Sequence, residues 1–254
     1  MRSSYLRLLW QLTWAEFKLL DQSTVTGFFW TLLQPALMFV VLYALFTRLL
    51  GHGVDNYPAY LVTGLVGWRF FEKSTSYALN SLKRKASLLR NFRFPRELIV
   101  LSAFGSVLIA HAAELVVLLG FLAAIGIRPG AGWLLLPLPV LLNILLALGV
   151  SMVLAMLVLV YEDMERIWSI LMTAAFFLTP VFYPASMLTE SQRGLLALNP
   201  MVHVLDAFRW SLLATPVSSI GAVVVLAGAA VLSAASFFLF RRNALRWMDR
   251  IISP

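Results

Sequence analysis

The chain has 254 residues, of which 61% are hydrophobic and 13% charged. A soluble globular domain is nearer 45–50% apolar with about 25% charged residues, so a soluble fold is excluded and an integral membrane protein is expected. The net charge of +8 sits beside apolar segments, which points to the positive-inside rule rather than to nucleic acid, and zero cysteines exclude disulfides and thiolate metal sites.

Several apolar runs approach or pass the ~20 residues of a helical bilayer span, and the ~10-residue alternation of an outer-membrane barrel is absent. The start, MRSSYLRLLWQLTWAEF, does not read as a signal peptide: Arg7, Glu16 and Lys18 interrupt it, and no small-residue cleavage site follows. Leu6, Trp10, Trp14 and Phe17 recur at helical steps while Arg7, Gln11 and Lys18 fall elsewhere on the wheel. This predicts an amphipathic interface helix over 5–21.

Six spans are expected, at 28–50, 60–80, 98–127, 134–161, 167–183 and 220–240. The predicted fold is therefore all-α, one polytopic transmembrane domain over 1–254. Pro35 lies inside the first span, where a proline removes a backbone donor and bends a helix. Between 184 and 216 short apolar pieces alternate with Glu190, Arg193, Asp206 and Arg209, and Asn199-Pro200 breaks them into two short outer helices of re-entrant type. The chain ends in a short basic tail. With both termini inside, the cytoplasmic side collects fourteen Lys and Arg residues. Arg48, Arg128, Arg193 and Arg209 alone fall outside, and Arg69 and Lys73 lie within the second span. That asymmetry sets the orientation, with cytoplasmic termini.

The most informative stretch runs from Trp68 to Glu97. Arg69, Glu72 and Lys73 stand inside an otherwise apolar span, where each charge costs roughly 2.5–3.5 kcal/mol on insertion scales. Arg69, Lys73, Ser76, Asn80 and Lys83 follow steps of four, three, four and three, so they share one helix face. Lys73 lies ~15 Å deeper than Lys83 along the helical rise and has no short route to the surface. Two explanations stand. The stripe lines a path for an anionic or hydroxyl-rich substrate, or it is paired internally, Arg69 with Glu72 and Lys73 with Glu114 of the third span. Trp68, Phe70 and Phe71, with Phe176, Phe177, Phe182 and Tyr183 of the fifth span, form either an ordinary aromatic belt or a surface on which sugar rings stack.

No phosphate loop, HExxH pair or GxSxG elbow occurs, so the chain should neither hydrolyse ATP itself nor act as a metalloprotease or hydrolase. His52, His111 and His203 are scattered and read as structural; no catalytic or metal constellation is expected. A membrane enzyme of glycan assembly would want acidic clusters for metal and phosphate, and only Glu162, Asp163 and Glu165 offer one.

Four stretches carry a family resemblance. They are STVTGFFWTLLQPALM, LVTGLVGWRFFEKSTSYALNSLKRKASLLRNFRFPRE, LVLVYEDMERIWSILMTAAFFLTPVFYPASML and LNPMVHVLDAFRWSLL. In this order, from about Thr24 to Leu213, they resemble the membrane subunits of type-2 ABC exporters, in the branch that exports polysaccharides. At Arg69, Glu72 and Lys73 the chain departs from that branch, which usually carries neutral polar or small residues there. The resemblance implies a homodimer in the bacterial inner membrane, in contact with membrane lipid and working with two separate ATPase subunits that bind ATP and Mg. It implies a lipid-linked glycan as substrate, O-antigen first. Teichoic acid, capsule, a drug or a small lipid remain alternatives. The stripe read as a path, with the aromatic lining that the resemblance implies, takes in Trp68, Arg69, Phe71, Glu72, Lys73, Ser76, Asn80, Glu114, Phe177 and Tyr183. ATPase coupling would fall to a helix over 83–97 with Leu88, Arg90, Asn91, Phe94, Pro95, Arg96 and Glu97, and to the turn at Glu162 and Asp163. A solvated, headgroup-binding loop is the plainer account of the first, and solvation of a tight turn that of the second. The outer gate would comprise Asn199, Pro200, Met201 and Arg209.

Overall fold

The computed structural model describes residues 2–20, 25–50, 56–91, 95–215 and 219–252, and these are helical throughout with short connections and no strand. Eleven α-helices follow in chain order: α1 (Arg2–Leu19), α2 (Val25–Leu50), α3 (Tyr57–Leu79), α4 (Ser81–Arg84), α5 (Ala86–Asn91), α6 (Glu97–Ala124), α7 (Pro137–Leu157), α8 (Met164–Leu178), α9 (Glu190–Leu196), α10 (Pro200–Leu213) and α11 (Ser219–Ile252). One-turn 3-10 helices precede α7 at Ala131–Leu135 and α9 at Ala185–Met187.

Three stretches among the described residues are long and apolar enough to cross a membrane: Glu97–Ala124, Ala131–Leu157 and Ile220–Asn243; Leu33–Thr47 is a shorter apolar piece. They coincide with the expected third, fourth, sixth and first spans. The expected second span is the 23-residue α3, whose apolar character Arg69, Glu72 and Lys73 interrupt.

α3 is the axis of the molecule, packed against α2, α6, α7, α8 and α10. Leu61, Leu65 and Phe70 join Phe104, Leu118, Leu146 and Phe208 in the larger core. A second core at the other end gathers Leu79, Leu82, Leu89, Ile99, Met152 and Phe240. Two glycines set how closely α10 lies on α3. A Cβ on Gly64 would stand 2.7 Å from Arg209 Nη2 of α10 and 2.5 Å from the Val181 carbonyl oxygen after α8, and one on Gly67 2.9 Å from Leu205 of α10. Asn143 of α7 donates to the Gly67 carbonyl at 2.9 Å and locks the third helix of this crossing. α11 lies along α7, and α1 lies along α6.

Several expected boundaries shift for local reasons. At the expected fifth span the helix is the 15-residue α8, which stops at Leu178 rather than 183, since Thr179 turns extended (φ −94°, ψ 138°) before Pro180, as the residue ahead of a proline tends to do. The sixth span does not end in a tail: α11 continues through Arg241, Arg242, Arg246 and Arg250 to Ile252, arginine being a good helix former. The expected coupling helix over 83–97 is not one helix. α4 ends at Lys85 (φ −106°, ψ 24°), α5 runs to Asn91, and Glu97 already opens α6 beyond Pro95. The break expected at Asn199-Pro200 is present: Asn199 caps α10 by accepting from the Met201 N–H at 3.0 Å, with Pro200 at the first helical position.

Candidate functional site

One face of α3 is turned away from both cores. The helical spacing that buries Leu65, Trp68, Thr75 and Leu79 leaves Arg69, Glu72, Lys73, Ser76 and Asn80 exposed or half-exposed. Opposite them stands α8, whose indole donor Trp168 reaches the Thr75 hydroxyl at 3.2 Å and holds the two helices in register. Between α2, α3 and α8 lies an open cleft of about 580 Å³, lined by Gln34, Leu37, Met38 and Val41, by Leu65, Trp68, Arg69 and Glu72, and by Met172, Thr173, Phe176 and Phe177. A smaller hollow of about 210 Å³ continues it along α3 and α8, between Glu72, Ser76 and Asn80 on one side and Glu165, Ser169 and Thr173 on the other. The two share Glu72, Met172 and Thr173, so they form one groove. From Asn80 to Leu65 it covers fifteen residues of α3, roughly 22 Å of helical rise.

The groove changes chemistry along its length. At the Asn80 end it offers hydroxyls, an amide and the Glu165 carboxylate. In the middle Arg69 lies beside Glu72, which also has the Trp68 indole as a neighbour. The Arg69 guanidinium is only lightly held: Nη2 donates to Gln34 Oε1 at a long 3.4 Å, and the buried Nε has no hydrogen-bond partner. At the far end the groove is apolar, with Trp68, Phe176 and Phe177 beside the aliphatic Leu37, Met38, Val41 and Leu65. The groove thus presents an undersatisfied cation flanked by a polar surface on one side and a mixed aliphatic and aromatic one on the other.

The structure brings Arg69, Glu72, Ser76, Asn80 and Phe177 together in this groove, with the edge of Trp68; Lys73 stands on the same face of α3, half-exposed. Trp68 is otherwise core, its ring 5.9 Å from Phe176 and 6.2 Å from Phe71. Phe71 lies in the core and does not line the groove. Tyr183 stands beyond α8 and donates to the Phe177 and Leu178 carbonyls, each at 3.2 Å. Glu114 lies elsewhere. It is buried, 3.4 Å from His111 Nδ1, and it lines an apolar groove between α2, α3 and α6 that shares Leu65 and Arg69 with the α3–α8 groove.

The expected coupling residues divide similarly. Asn91 and Pro95 are exposed, while Leu88 and Arg96 are half-buried. Glu97 is not displayed at all: it is buried and paired with Arg241 of α11 at 3.2 Å. The Arg90 side chain and Phe94 lie outside the described residues. Glu162 and Asp163 sit on the exposed turn before α8, Asp163 3.7 Å from Arg166.

At the other end of the groove a network missing from the sequence reading holds the chain after α8. Helix ends leave carbonyls without partners. Here side chains supply the donors. Arg209 donates through Nη2 to the Pro180 and Val181 carbonyls at 2.8 and 2.9 Å, and its guanidinium lies 3.5 Å from the Tyr60 ring centre. Tyr60 donates to the Tyr183 carbonyl and Tyr57 to that of Phe182, both at 2.9 Å. The Asn199 amide donates to the Thr179 hydroxyl at 2.9 Å. Met201 is buried beside it. Arg209, expected as an outer charge, is fully enclosed because these carbonyls need it. The signal available was Tyr57 and Tyr60, three apart on the face that Arg209 meets.

A second missed residue is Glu16 of α1, 2% exposed. It pairs with Lys85 and accepts from the Tyr77 hydroxyl at 2.6 Å. Burial raises its pKa, but the hydrogen bonds from Lys85 and Tyr77 and the charges of Lys85 and Arg84 outweigh this and hold the carboxyl below its ordinary value.

Comparison with known proteins matches residues 7–213 to the family described as ABC-2 type transporter. The O-antigen export system permease protein RfbA of Myxococcus xanthus is 32% identical over 207 residues, 81% of this chain and 80% of that protein. RfbA of Klebsiella pneumoniae is 28% identical over 203 residues, 80% of this chain and 78% of the relative. The polysialic acid transport protein KpsM of Escherichia coli is 22% identical over 187 residues, 72% of each. With apolar helices long enough to cross a bilayer and a family match that covers most of its length, the chain is an integral membrane protein that belongs to the ABC-2 type transporter family.

Proposed function

We propose that this chain is the transmembrane subunit of an ATP-driven exporter that moves a lipid-linked polysaccharide, of O-antigen type, across the bacterial inner membrane. The observation that carries this is the α3–α8 groove, whose polar and aromatic lining suits a glycan and whose Arg69 suits the phosphates of its lipid carrier. The relatives, named for O-antigen and polysialic acid export, supply the substrate class. The chain carries no phosphate loop, so a separate ATPase subunit binds ATP and Mg and supplies the energy.

In this reading residues 1–254 are one transmembrane domain in which α2, α3 and α8 join the three long apolar stretches as six spans, with cytoplasmic termini. α1 lies in the interface, its exposed Leu6, Trp10 and Trp14 directed at lipid. α9 and α10, within 184–216, form the outer re-entrant gate. Two copies build the path. The groove opens on a flank where Ile167, Ile170, Leu171 and Phe177 of α8 are exposed, and a polar groove left against lipid would be costly. A second copy placed there closes it. The ATPase subunit meets α4–α5 and the Glu162–Arg166 turn, and its ATP-driven closure changes how the two grooves face one another.

Within the groove Arg69 attracts the carrier's phosphates, Glu72 and Glu165 accept hydrogen bonds from sugar hydroxyls, and Ser76, Asn80, Ser169 and Thr173 exchange them along the way. Phe177 and the edge of Trp68 offer faces to sugar rings. The test is export of lipid-linked polysaccharide by the chain reconstituted with its ATPase subunit in proteoliposomes. Arg69→Ala and Glu72→Ala should each lower export about tenfold while assembly persists. Unchanged export in the double variant sinks the groove assignment. No export by the unaltered complex sinks the function.

A further inference from the structure

Glu16 stands outside the groove, on a helix whose exposed face is built for lipid. A carboxylate this enclosed is tolerated only when fully partnered. Its partners come from two other elements. Tyr77, whose hydroxyl donates to it at 2.6 Å, belongs to the last turn of α3, the helix that carries Arg69, Glu72 and Ser76. Lys85, its ion-pair partner, is the residue at which α4 leaves helical geometry and α5 begins. Arg84 closes the cluster: it donates to the Tyr77 carbonyl at 3.1 Å, and its guanidinium lies 4.0 Å from the Tyr77 ring centre. α1 itself is seated on α6, where a Cβ on Gly105 would stand 3.0 Å from the Thr13 side chain. One carboxylate therefore ties the interface helix, the base of the grooved helix and the break inside the cytoplasmic segment.

We propose that Glu16 is a positioning residue for transport. It fixes the angle between α3 and α4–α5, so that α1, the base of α3 and the α4–α5 segment move as one body when that segment is displaced. The proposal rests on the export reading, in which the ATPase subunit pushes on α4–α5. Without Glu16 the push is absorbed at Lys85 and does not reach the groove. The lowered Glu16 pKa is consistent with a carboxylate that stays charged throughout.

The experiment uses the full chain with its ATPase subunit in proteoliposomes and compares the unaltered chain, Glu16→Gln, Lys85→Glu and the exchange Glu16→Lys/Lys85→Glu. Three quantities are read: ATP hydrolysis, polysaccharide moved per ATP, and melting temperature. Glu16→Gln should lower polysaccharide per ATP about tenfold with hydrolysis retained, and the exchange should recover more than either single change predicts. An unchanged ratio in Glu16→Gln overturns the proposal. So does a parallel fall of hydrolysis, export and melting temperature that the exchange fails to reverse, since that marks a merely structural pair. Because the chain has no cysteine, spin labels at Gln11→Cys and Ser87→Cys, both exposed, give a measurement independent of export. Their distance within one copy should stay fixed when ATP is added to the unaltered complex and shift or broaden in Glu16→Gln. The same ATP response in both also overturns the proposal, whereas an unaltered complex that moves no glycan overturns the export reading instead.

Discussion

Arg209 shows how one side chain can hold an irregular stretch of backbone at depth. Its two hydrogen bonds satisfy the Pro180 and Val181 carbonyls, and its planar guanidinium lies against Tyr60. Arg209→Met should leave the Val181 carbonyl without its side-chain donor and the Pro180 carbonyl with only a long 3.4 Å bond from the Tyr60 hydroxyl, at about 1–3 kcal/mol, and lower the melting temperature of the detergent-solubilised protein. Arg209→Lys keeps the charge but lacks the fork and the flat face, so it should recover only part of the loss. Glu16 carries a pH dependence with a definite sign. Its folded pKa lies below the ordinary carboxylate value, so the stability it contributes is fully present above about pH 5 and is lost as pH falls through the folded value. The difference in melting temperature between the unaltered chain and Glu16→Gln should therefore be constant from pH 8 to about 5 and shrink below about pH 4.

At the scale of elements, the contact of α3 with α10 depends on the absence of a side chain at Gly64. An alanine there puts a methyl 2.5 Å from the Val181 carbonyl oxygen and 2.7 Å from Arg209 Nη2, too close for either to stay in place. Gly64→Ala should cost about 1–3 kcal/mol and disturb the Arg209 network. Gly120 on α6 has no atom within 4 Å of an added Cβ, so Gly120→Ala should be neutral or mildly stabilising. Comparing the two melting curves separates close packing from helix propensity. The helices themselves were largely legible from hydropathy and from Pro and Asn breaks: α2, α3, α6, α7 and α10 start or stop within a few residues of expectation. Lys85 was not legible, because nothing local breaks the helix there. A lysine in a basic run favours helix, and what marks the break is a carboxylate 69 positions earlier in the chain.

For the whole molecule, the open flank of the groove is the decisive surface. If a second copy closes it, Ile170→Cys on the exposed face of α8 should give a covalent dimer on mild oxidation in membranes, in a chain otherwise free of cysteine. Leu134→Cys, also exposed but in the 3-10 helix ahead of α7 and outside the groove lining, should not. Orientation is tested in the same background: Ser87→Cys should react with a membrane-impermeant thiol reagent only from the cytoplasmic face.

What the sequence by itself determined was the membrane environment, the order of apolar helices, and the shared face of Arg69, Lys73, Ser76 and Asn80, to which the structure adds Glu72. Those follow from composition and a 3.6-residue period, which are properties of the chain alone. The tertiary structure decided which face of α8 meets that stripe, and that Phe71 is core while Phe177 is surface. It also placed Glu114 with His111 outside the groove, and buried Arg209 and Glu16. Each of those outcomes depends on a partner far away in sequence. Charge counting sends an arginine or a glutamate to water, whereas carbonyls freed at a helix end, or a lysine and a tyrosine brought together by packing, make the interior the better place.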